Sequence, residues 1–405
     1  MGITFRLTTY IARLFSFFSL FLLISCGGGG GGDGGSTTPT IATGVFKDNN
    51  VSGVTYTSGA QSGTTGSDGS FTYETGQPVS FNLGNVTLGS ATGKSVITPI
   101  DLVAGGSSSS TEVLNLVRFL LMLDTDGNPS NGITISSAVL AIAENWSAVD
   151  FSTGSLSSEL VTIISDASSA DGTSHTLPST ITAQSHLETT LRCVRAGAYS
   201  GTFSGDDSGP FGVLVDASTG LLSGFAYSAF DGLLSLSGST AVSFDQSATF
   251  ISGDVSSGAT FSGQFTSPNT LAGNWNLSST AESGSFSGSR IGGATNATYR
   301  FTGSFASNAS SPVASNGLFT FDVDSSDNVT GVAHTVYASD GTENETVSFT
   351  GSLTGSSLVA QIMDGNVIDA TITGTLNKAT GTLSGSWSDM DGNTGTYSGR
   401  GCKLN

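Results

Sequence analysis

Apolar and polar residues alternate with a period of two over most of the chain after residue 40, and this pattern predicts β-strands. In the C-terminal half, many strands contain the unit Gly-x-aromatic-x-Gly, which places aromatic rings on one face and Ser or Thr on the other. Turn residues such as Gly, Asp and Asn separate the strands at intervals of about ten residues. We therefore predict a mainly β protein built from short antiparallel strands.

The C-terminal half repeats itself. Residues 195–292 and 298–402 carry matching segments, so two tandem copies of one module of about 100 residues are the simplest explanation. The matching pairs are 199–203 with 301–305, 215–216 with 323–324, 259–263 with 370–374, 271–275 with 383–387, and 284–288 with 395–399. Each copy is expected to fold into about eight strands that form either a small closed barrel or a sandwich.

The Gly-x-Phe-x-Gly strands of both copies resemble the small barrels of surface lipoproteins of the transferrin-binding and factor H-binding types. The resemblance implies a barrel carried on a surface lipoprotein. One Trp stands at the equivalent position of each copy, at Trp275 and at Trp387. Each indole is a candidate platform on which a ligand such as a sugar ring could stack, and the alternative is a core residue.

Residues 41–105 also alternate, and Gly, Asn and Pro mark turns between the apolar segments. This pattern predicts a small antiparallel β-sandwich. Within it, the segments 51–56, 63–65 and 68–73 resemble collagen-adhesin B-type and carboxypeptidase-regulatory-like modules. Such modules usually serve as stalks or spacers on surface proteins, so the resemblance implies that role here.

Residues 106–192 predict helices. Ser109 and Glu112 have the spacing of a capping box, and residues 113–123 are apolar on nearly all sides, which predicts a buried helix. Further helices are expected at about 136–146, 157–167 and 183–191. We expect this helical segment to pack on the preceding β-sandwich.

The first 25 residues have the pattern of a signal peptide. Arg6 and Arg13 precede an apolar run at 14–24, and no acidic residue accompanies them. An apolar run of about eleven residues is too short to span a bilayer, but it fits the hydrophobic centre of a signal peptide. We therefore predict that residues 1–25 are a signal peptide.

The apolar run ends in Leu23-Ile24-Ser25-Cys26. This motif resembles a bacterial lipobox, which implies a lipid on Cys26 that anchors the protein to a membrane. Gly27 rather than Asp follows the Cys, so the resemblance implies the outer membrane, with the body in the periplasm or on the cell surface. Residues 26–40 are Gly-rich and predict a flexible tether. The alternative is an ordinary signal peptide with Cys26 present by chance.

Two further cysteines, Cys193 and Cys402, bracket the duplicated half. A pair of cysteines in an oxidising compartment predicts a disulfide. A bridge here would close a loop of roughly 210 residues, for which the chain-entropy model gives about 5 kcal/mol as an upper estimate. The alternative is a metal or redox pair, which needs close spacing or a nearby His.

The chain is acidic, with 12 Lys and Arg against 31 Asp and Glu and a formal net charge of −19. Phosphate binding requires clustered basic residues, so we expect no nucleic-acid partner. The sequence has no Gly-x-Ser-x-Gly elbow, phosphate loop or dinucleotide fingerprint. His175, His186 and His334 lie in separate contexts, so we expect no catalytic zinc site.

One acidic motif is a candidate calcium loop. Asp124, Asp126 and Asn128 have the spacing of the first half of such a loop, and calcium is the only cofactor that the sequence indicates. The twelfth position, where a bidentate Glu is expected, is Ile135, which cannot bind a cation. The alternative is a helix-ending turn in which the side chains bind their own backbone.

These features together predict a monomeric, lipid-anchored and non-enzymatic protein that serves in binding, adhesion or envelope structure. Its candidate partners are a protein or a glycan. One alternative is a receptor or carrier for a small apolar or metal-bearing ligand held in a β-barrel. A second alternative is a glycan-acting enzyme whose carboxylates meet in one cleft.

Overall fold

The computed structural model describes residues 39–240, 250–267, 269–293, 297–342 and 344–404. Along the described chain, a mixed body of strands and helices comes first and two closed β-barrels follow it. The mainly β fold predicted from the alternation is therefore confirmed. The lipobox, Cys26 and most of the Gly-rich tether lie outside the described residues.

The N-terminal body is built around two small sheets. One sheet has the strand order β4-β3-β6-β7 and the other β5-β1-β8, while β2 and β9 form a separate parallel pair. The strands are β1 (Ile41–Phe46), β2 (Val51–Ser52), β3 (Thr55–Ser58), β4 (Gln61–Thr64), β5 (Ser70–Glu74), β6 (Pro78–Leu83), β7 (Val86–Thr92), β8 (Val96–Ile97) and β9 (Ile133–Thr134). Phe81 contacts Phe46 at a ring-centroid distance of 4.6 Å and Phe71 at 5.2 Å, so aromatic rings join the two sheets.

Five α-helices complete this body. They are α1 (Thr111–Met122), α2 (Ser137–Ala143), α3 (Leu156–Glu159), α4 (Val161–Asp171) and α5 (Thr180–Arg195), with 3-10 turns at Pro99–Leu102 and Pro129–Asn131. Apolar residues surround most of α1, and Leu116, Val117 and Leu120 are fully buried in the core. The helices and sheets share one hydrophobic core, as the apolar pattern at 113–123 predicts.

Two details of the helical prediction are wrong. The N-cap of α1 is Ser110 rather than Ser109, and its hydroxyl bonds the backbone of Ser107 instead of capping the helix. The helix expected at 157–167 is two helices, α3 and α4, which meet at Leu160. None of the helices in the described part of the chain is long and apolar enough to cross a bilayer.

Each copy of the repeat forms a closed barrel of eight antiparallel strands in which sequence neighbours are also spatial neighbours. The first barrel contains β10 (Gly197–Gly205), β11 (Gly209–Val215), β12 (Leu221–Ser228), β13 (Gly232–Thr240), β14 (Phe250–Val255), β15 (Thr260–Ser267), β16 (Thr270–Leu277) and β17 (Glu282–Arg290). The second contains β18 (Tyr299–Ser307), β19 (Ser315–Val323), β20 (Asn328–Ala338), β21 (Thr346–Thr354), β22 (Ser357–Asp364), β23 (Val367–Asn377), β24 (Thr382–Asp389) and β25 (Thr394–Lys403). Of the two architectures left open by the sequence, the barrel is therefore the one observed.

The closing contact of each barrel has the same register. Gly201 of β10 lies opposite Gly288 of β17, and Gly303 of β18 lies opposite Gly399 of β25. A side chain at either position of a pair would collide with the facing backbone. Glycine at these positions therefore lets the first and last strands approach each other.

The three bodies contact one another. The outer faces of the barrels pack side by side through Ala198, Ile291 and Leu318, and Tyr227 contacts Tyr337 at 5.1 Å. Cys193 in α5 and Cys402 in β25 form a disulfide with a Cα–Cα distance of 6.0 Å, which is the pair expected from the sequence. The last helix of the N-terminal body is thus covalently joined to the last strand of the second barrel.

Candidate functional site

An apolar cavity of about 90 Å³ lies inside the first barrel. Its wall includes Phe203, Phe211, Val213, Leu236, Trp275 and Phe286. These residues point inward because inward and outward positions alternate along each strand, and the Ser and Thr residues beside Phe203, Leu236 and Phe286 are exposed. The Gly-x-aromatic-x-Gly pattern therefore produces an apolar interior with a hydroxyl-covered exterior.

One end of the first barrel is closed. Tyr199 and Phe265 are buried there and contact each other at 5.4 Å. The guanidinium of Arg290 lies over the Tyr199 ring and donates to the Tyr199 hydroxyl at 2.9 Å and to the carbonyl of Val194 at 2.7 Å. These contacts fix the bottom of the barrel to the segment that enters it.

The other end opens to solvent between the hairpin turns. Asp207 and Asp231 line the cavity at this end from the β10–β11 and β12–β13 connections, and Glu282 lines it from the first position of β17. Asp207 accepts a hydrogen bond of 2.6 Å from the Ser228 hydroxyl, and Glu282 accepts one of 2.8 Å from the Thr280 hydroxyl. The mouth of the cavity is therefore rimmed by carboxylates above apolar walls.

The second barrel fills the corresponding space with its own side chains. One row of directly paired residues crosses four strands of each barrel, so the two rows can be matched position by position. The rows are Tyr199, Val213, Gly224 and Leu236 in the first barrel, and Phe301, Phe321, Gly331 and Phe349 in the second. Phe321 and Phe349 contact each other at 4.6 Å, and both are buried. The first barrel has a cavity where Val213 and Leu236 replace these two rings.

This difference was not predicted from the sequence, although its signal is present in the repeat. Aligning 215–216 with 323–324 also places Val213 opposite Phe321, two residues earlier. A smaller side chain at an inward position of one copy leaves unfilled space in the interior of that copy alone. The meeting of Val213 and Leu236 around one interior space depends on which strands pair, and local periodicity does not contain that information.

The two tryptophans occupy equivalent positions inside the barrels. Trp275 meets Phe203 edge to face at 6.2 Å, and Trp387 meets Phe305 in the same way at 6.2 Å. The Trp275 indole donates to the carbonyl of Ser204 at 3.2 Å and lines the cavity. Trp387 is partly buried and packs against the filled core of the second barrel.

A polar groove of about 480 Å³ lies on the outside of the first barrel. Hydroxyl-bearing residues line it, including Ser200, Thr202, Thr270 and Ser287. Neither Trp275 nor Trp387 lines this groove, so neither indole is placed to stack on a sugar bound there.

The calcium candidate forms a compact turn after α1. Asp126 accepts from the backbone N–H of Asn128 at 2.9 Å and from the Asn131 amide at 2.8 Å, and Asp124 accepts from the N–H of Thr134 at 2.9 Å. The hydrogen bond from Asn131 is the largest influence on Asp126 and lowers its pKa, while burial raises the pKa of Asp124. This geometry fits the turn alternative, and calcium binding at Asp124, Asp126 and Asn128 stays a prediction.

His175 and His334 lie in different parts of the fold. His175 contacts Asp171 and the carbonyl of Met122, and His334 bonds the Thr346 hydroxyl. Burial lowers the pKa of His334. Within the described ranges, no group of three or more His, Cys, Asp or Glu residues is arranged to hold a metal ion.

The third histidine belongs to a buried polar turn that sequence analysis did not single out. His186 of α5 lies 3.4 Å from the carboxylate of Asp48, which is fully buried in the turn at 47–50. Burial raises the pKa of Asp48 to about 6 and lowers that of Lys47 to about 7. Asn49 in the same turn has a left-handed backbone conformation with φ = 58°. Its backbone N–H donates a hydrogen bond of 2.8 Å to the hydroxyl of Thr190 in α5. This turn fixes α5 to the first strand.

No protein-family model matches the sequence, and no curated protein matches it significantly. Among solved structures, a surface lipoprotein is 14% identical with a TM-score of 0.19, over 33% of this chain and 76% of that one. A transferrin binding protein B from Haemophilus parasuis is 12% identical with a TM-score of 0.18, over 51% and 75%. An intact transferrin binding protein B with N and C lobes is 8% identical with a TM-score of 0.20, over 51% and 77%. Similarity at this level carries no information about what this chain binds.

Proposed function

We propose that this chain is a non-enzymatic binding protein of the bacterial envelope, anchored by a lipid on Cys26, whose first barrel receives an apolar group of a small ligand. The observation that carries the proposal is the cavity in the first barrel, together with the filled interior of the second. Of the functions that the sequence left open, the receptor or carrier is the one that this difference favours.

The cavity walls offer the physical basis for binding. A preformed apolar pocket with a few polar groups at its entrance is the usual form of a small-molecule site. Moving apolar ligand surface from water into such a pocket is favourable by roughly 25 cal/mol per Å². Because strands surround the cavity on all sides, little rearrangement is needed before a ligand enters, which keeps the ordering cost of binding low.

Filling the cavity tests this function. The double variant Val213→Phe with Leu236→Phe places in the first barrel the rings that fill the second. We expect hexanol to bind the unmodified full chain. Calorimetry in lipid nanodiscs measures this binding, with empty nanodiscs as the blank. The affinity of the variant for hexanol should be at least tenfold lower. Equal affinity of the two proteins, or no binding to either, would contradict the proposal.

A second candidate function is the display of a surface for a protein or glycan partner. The hydroxyl-lined groove outside the first barrel is the observation that favours it. Screening the full chain against glycan and matrix-protein arrays checks this candidate. Binding that survives the cavity-filling substitutions but is lost when Thr202 and Thr270 are replaced by Val would assign the partner to the groove.

A further inference from the structure

The charged side chains of the first barrel are almost all acidic. Residues 197–289 contain no Lys, Arg or His, so Arg290 is the only cationic side chain in its strands. Arg290 lies at the closed end, where it is engaged with Tyr199 and the carbonyl of Val194. The open end therefore has a negative potential with no cation of the same barrel beside it, and such a potential attracts cations and repels anions.

The carboxylates stand on one continuous arc of the mouth. The backbone of Asp206 bonds Ser283 at 3.1 Å, which places the β10–β11 turn beside the start of β17, where Glu282 lies. The Asp207 carboxylate bonds Ser228 at the end of β12, next to the turn that carries Asp231. Carboxylates from two turns and from the start of β17 therefore approach the same opening.

Aromatic rings lie directly below these carboxylates. Trp275 and Phe203 both line the cavity and are only partly buried. The face of an indole attracts a cation, and this attraction adds to that of nearby carboxylates. The entrance thus combines two groups that favour positive charge, while the wall beneath it is apolar.

The size of the cavity limits the apolar part of the ligand. At about 90 Å³ it is smaller than the apolar cavity of roughly 150 Å³ that accommodates benzene. A linear alkyl chain can place part of its length in such a space and the rest in the open mouth, so the chain need not be wholly enclosed. Since the cavity is open at one end, a polar head group can remain at the mouth.

We propose that the ligand of the first barrel is a cationic amphiphile, in which a short alkyl chain enters the cavity and an ammonium group lies at the mouth beside Asp207, Asp231 and Glu282. This inference rests on the proposed function, because it assumes that the cavity is a binding site. The proposed function specifies only the apolar part of the ligand. The present inference also specifies that the head group of the ligand is cationic.

Three probes with the same alkyl chain and different heads test the inference. Hexylamine, hexanol and hexanoate are each titrated calorimetrically into the full chain in nanodiscs at low salt, with empty nanodiscs as the blank. We expect hexylamine to bind at least about tenfold more tightly than hexanoate, with hexanol between them, since partly exposed charge pairs each contribute modestly. Raising the ionic strength should reduce the difference in affinity between hexylamine and hexanoate, because salt screens exposed charges.

Substitutions at the rim separate the head-group effect from the cavity effect. The double variant Asp231→Asn with Glu282→Gln should bring the affinities for hexylamine and hexanoate to within about threefold of each other, so that the preference for a cationic head is lost. The matched control is Asp364→Asn with Glu345→Gln, which removes the same charge from exposed positions of the second barrel and should keep the full preference.

The outcomes are distinguishable. If all three probes bind with equal affinity, or if the rim variant keeps the preference for the amine, the inference is overturned and the proposed function stands. If none of the probes binds, both are overturned.

Discussion

The indole of Trp275 in β16 occupies the space that a side chain would need at Gly284, its directly paired neighbour in β17. The second barrel repeats the arrangement, because Trp387 lies against its paired neighbour Gly395. Pairing of a large ring with a glycine on the next strand lets the ring lie flat against the barrel wall. This relationship explains why the sequence alternates aromatic residues with glycine.

A side chain at Gly284 should therefore destabilise the first barrel. We expect Gly284→Val to lower the free energy of unfolding by about 1–3 kcal/mol, because the added atoms force the indole and the facing backbone apart. Thermal and urea unfolding of the full chain measure the change. Ser285→Ala is the control, since Ser285 is the adjacent residue and faces solvent, and it should change stability by less than about 0.5 kcal/mol. An equal effect of both substitutions would contradict the packing explanation.

The two barrels should respond in opposite ways to exchange of their core residues. Phe321→Val removes most of a buried ring and should cost about 2–4 kcal/mol of stability. Val213→Phe adds a ring where a cavity exists, and should be neutral or stabilising by up to about 2 kcal/mol. Chemical denaturation of each variant checks both signs. Strong destabilisation by Val213→Phe would mean that the first barrel has no room for the ring.

The buried carboxylate of Asp48 should make stability depend on pH. Its pKa is about 6 in the folded state and near 3.8 in the unfolded chain, so between these pH values the folded state holds more protons. The free energy of unfolding should therefore fall as pH rises from about 4 to 6, by roughly 3 kcal/mol at about 1.4 kcal/mol per pKa unit.

Replacing this residue isolates its contribution. Asp48→Asn lacks this carboxylate and should not lose stability between pH 4 and 6 for this reason. The unfolding free energy of the variant minus that of the unmodified protein should therefore increase from pH 4 to pH 6 and stay constant above pH 6. Urea unfolding at a series of pH values measures it. The shifted pKa of Lys47 acts only above about pH 7 and does not affect this window. A difference that is independent of pH would contradict the predicted shift.

The disulfide between Cys193 and Cys402 should stabilise the assembly of the three bodies. The double variant Cys193→Ser with Cys402→Ser should lose about 2–5 kcal/mol, because the bridge closes a long loop and restricts the unfolded chain. Unfolding with and without a reducing agent checks the loss. The reducing agent should destabilise the unmodified protein and leave the double variant unchanged.

The predicted lipid on Cys26 can be tested by cell fractionation. Cys26→Ser removes the thiol that would be acylated, so the chain should no longer sediment with the outer membrane and should lose incorporation of labelled fatty acid. Cys193→Ser is the comparison, since it removes a thiol but leaves the lipobox intact. If Cys26→Ser remains in the membrane fraction with its label, the anchor lies elsewhere.

The sequence by itself determined the β class, the duplication and the cysteine pair, because these depend on side-chain periodicity and on residue identity. Alternation with a period of two is visible in any strand, and a repeat is visible as similarity at fixed offsets. The position of α1 could also be predicted, since a run that is apolar on all sides has to be buried.

Only the tertiary structure decided between barrel and sandwich, and only it showed the cavity. Closure depends on pairing between strands that are far apart in sequence, such as β10 with β17, and local periodicity is the same in both architectures. The cavity depends on Val213 and Leu236 facing one interior space, and the pKa of Asp48 depends on its burial beneath α5. The cavity volume and the burial of Asp48 both depend on segments that are distant in sequence packing together. No single stretch of the sequence therefore predicts them.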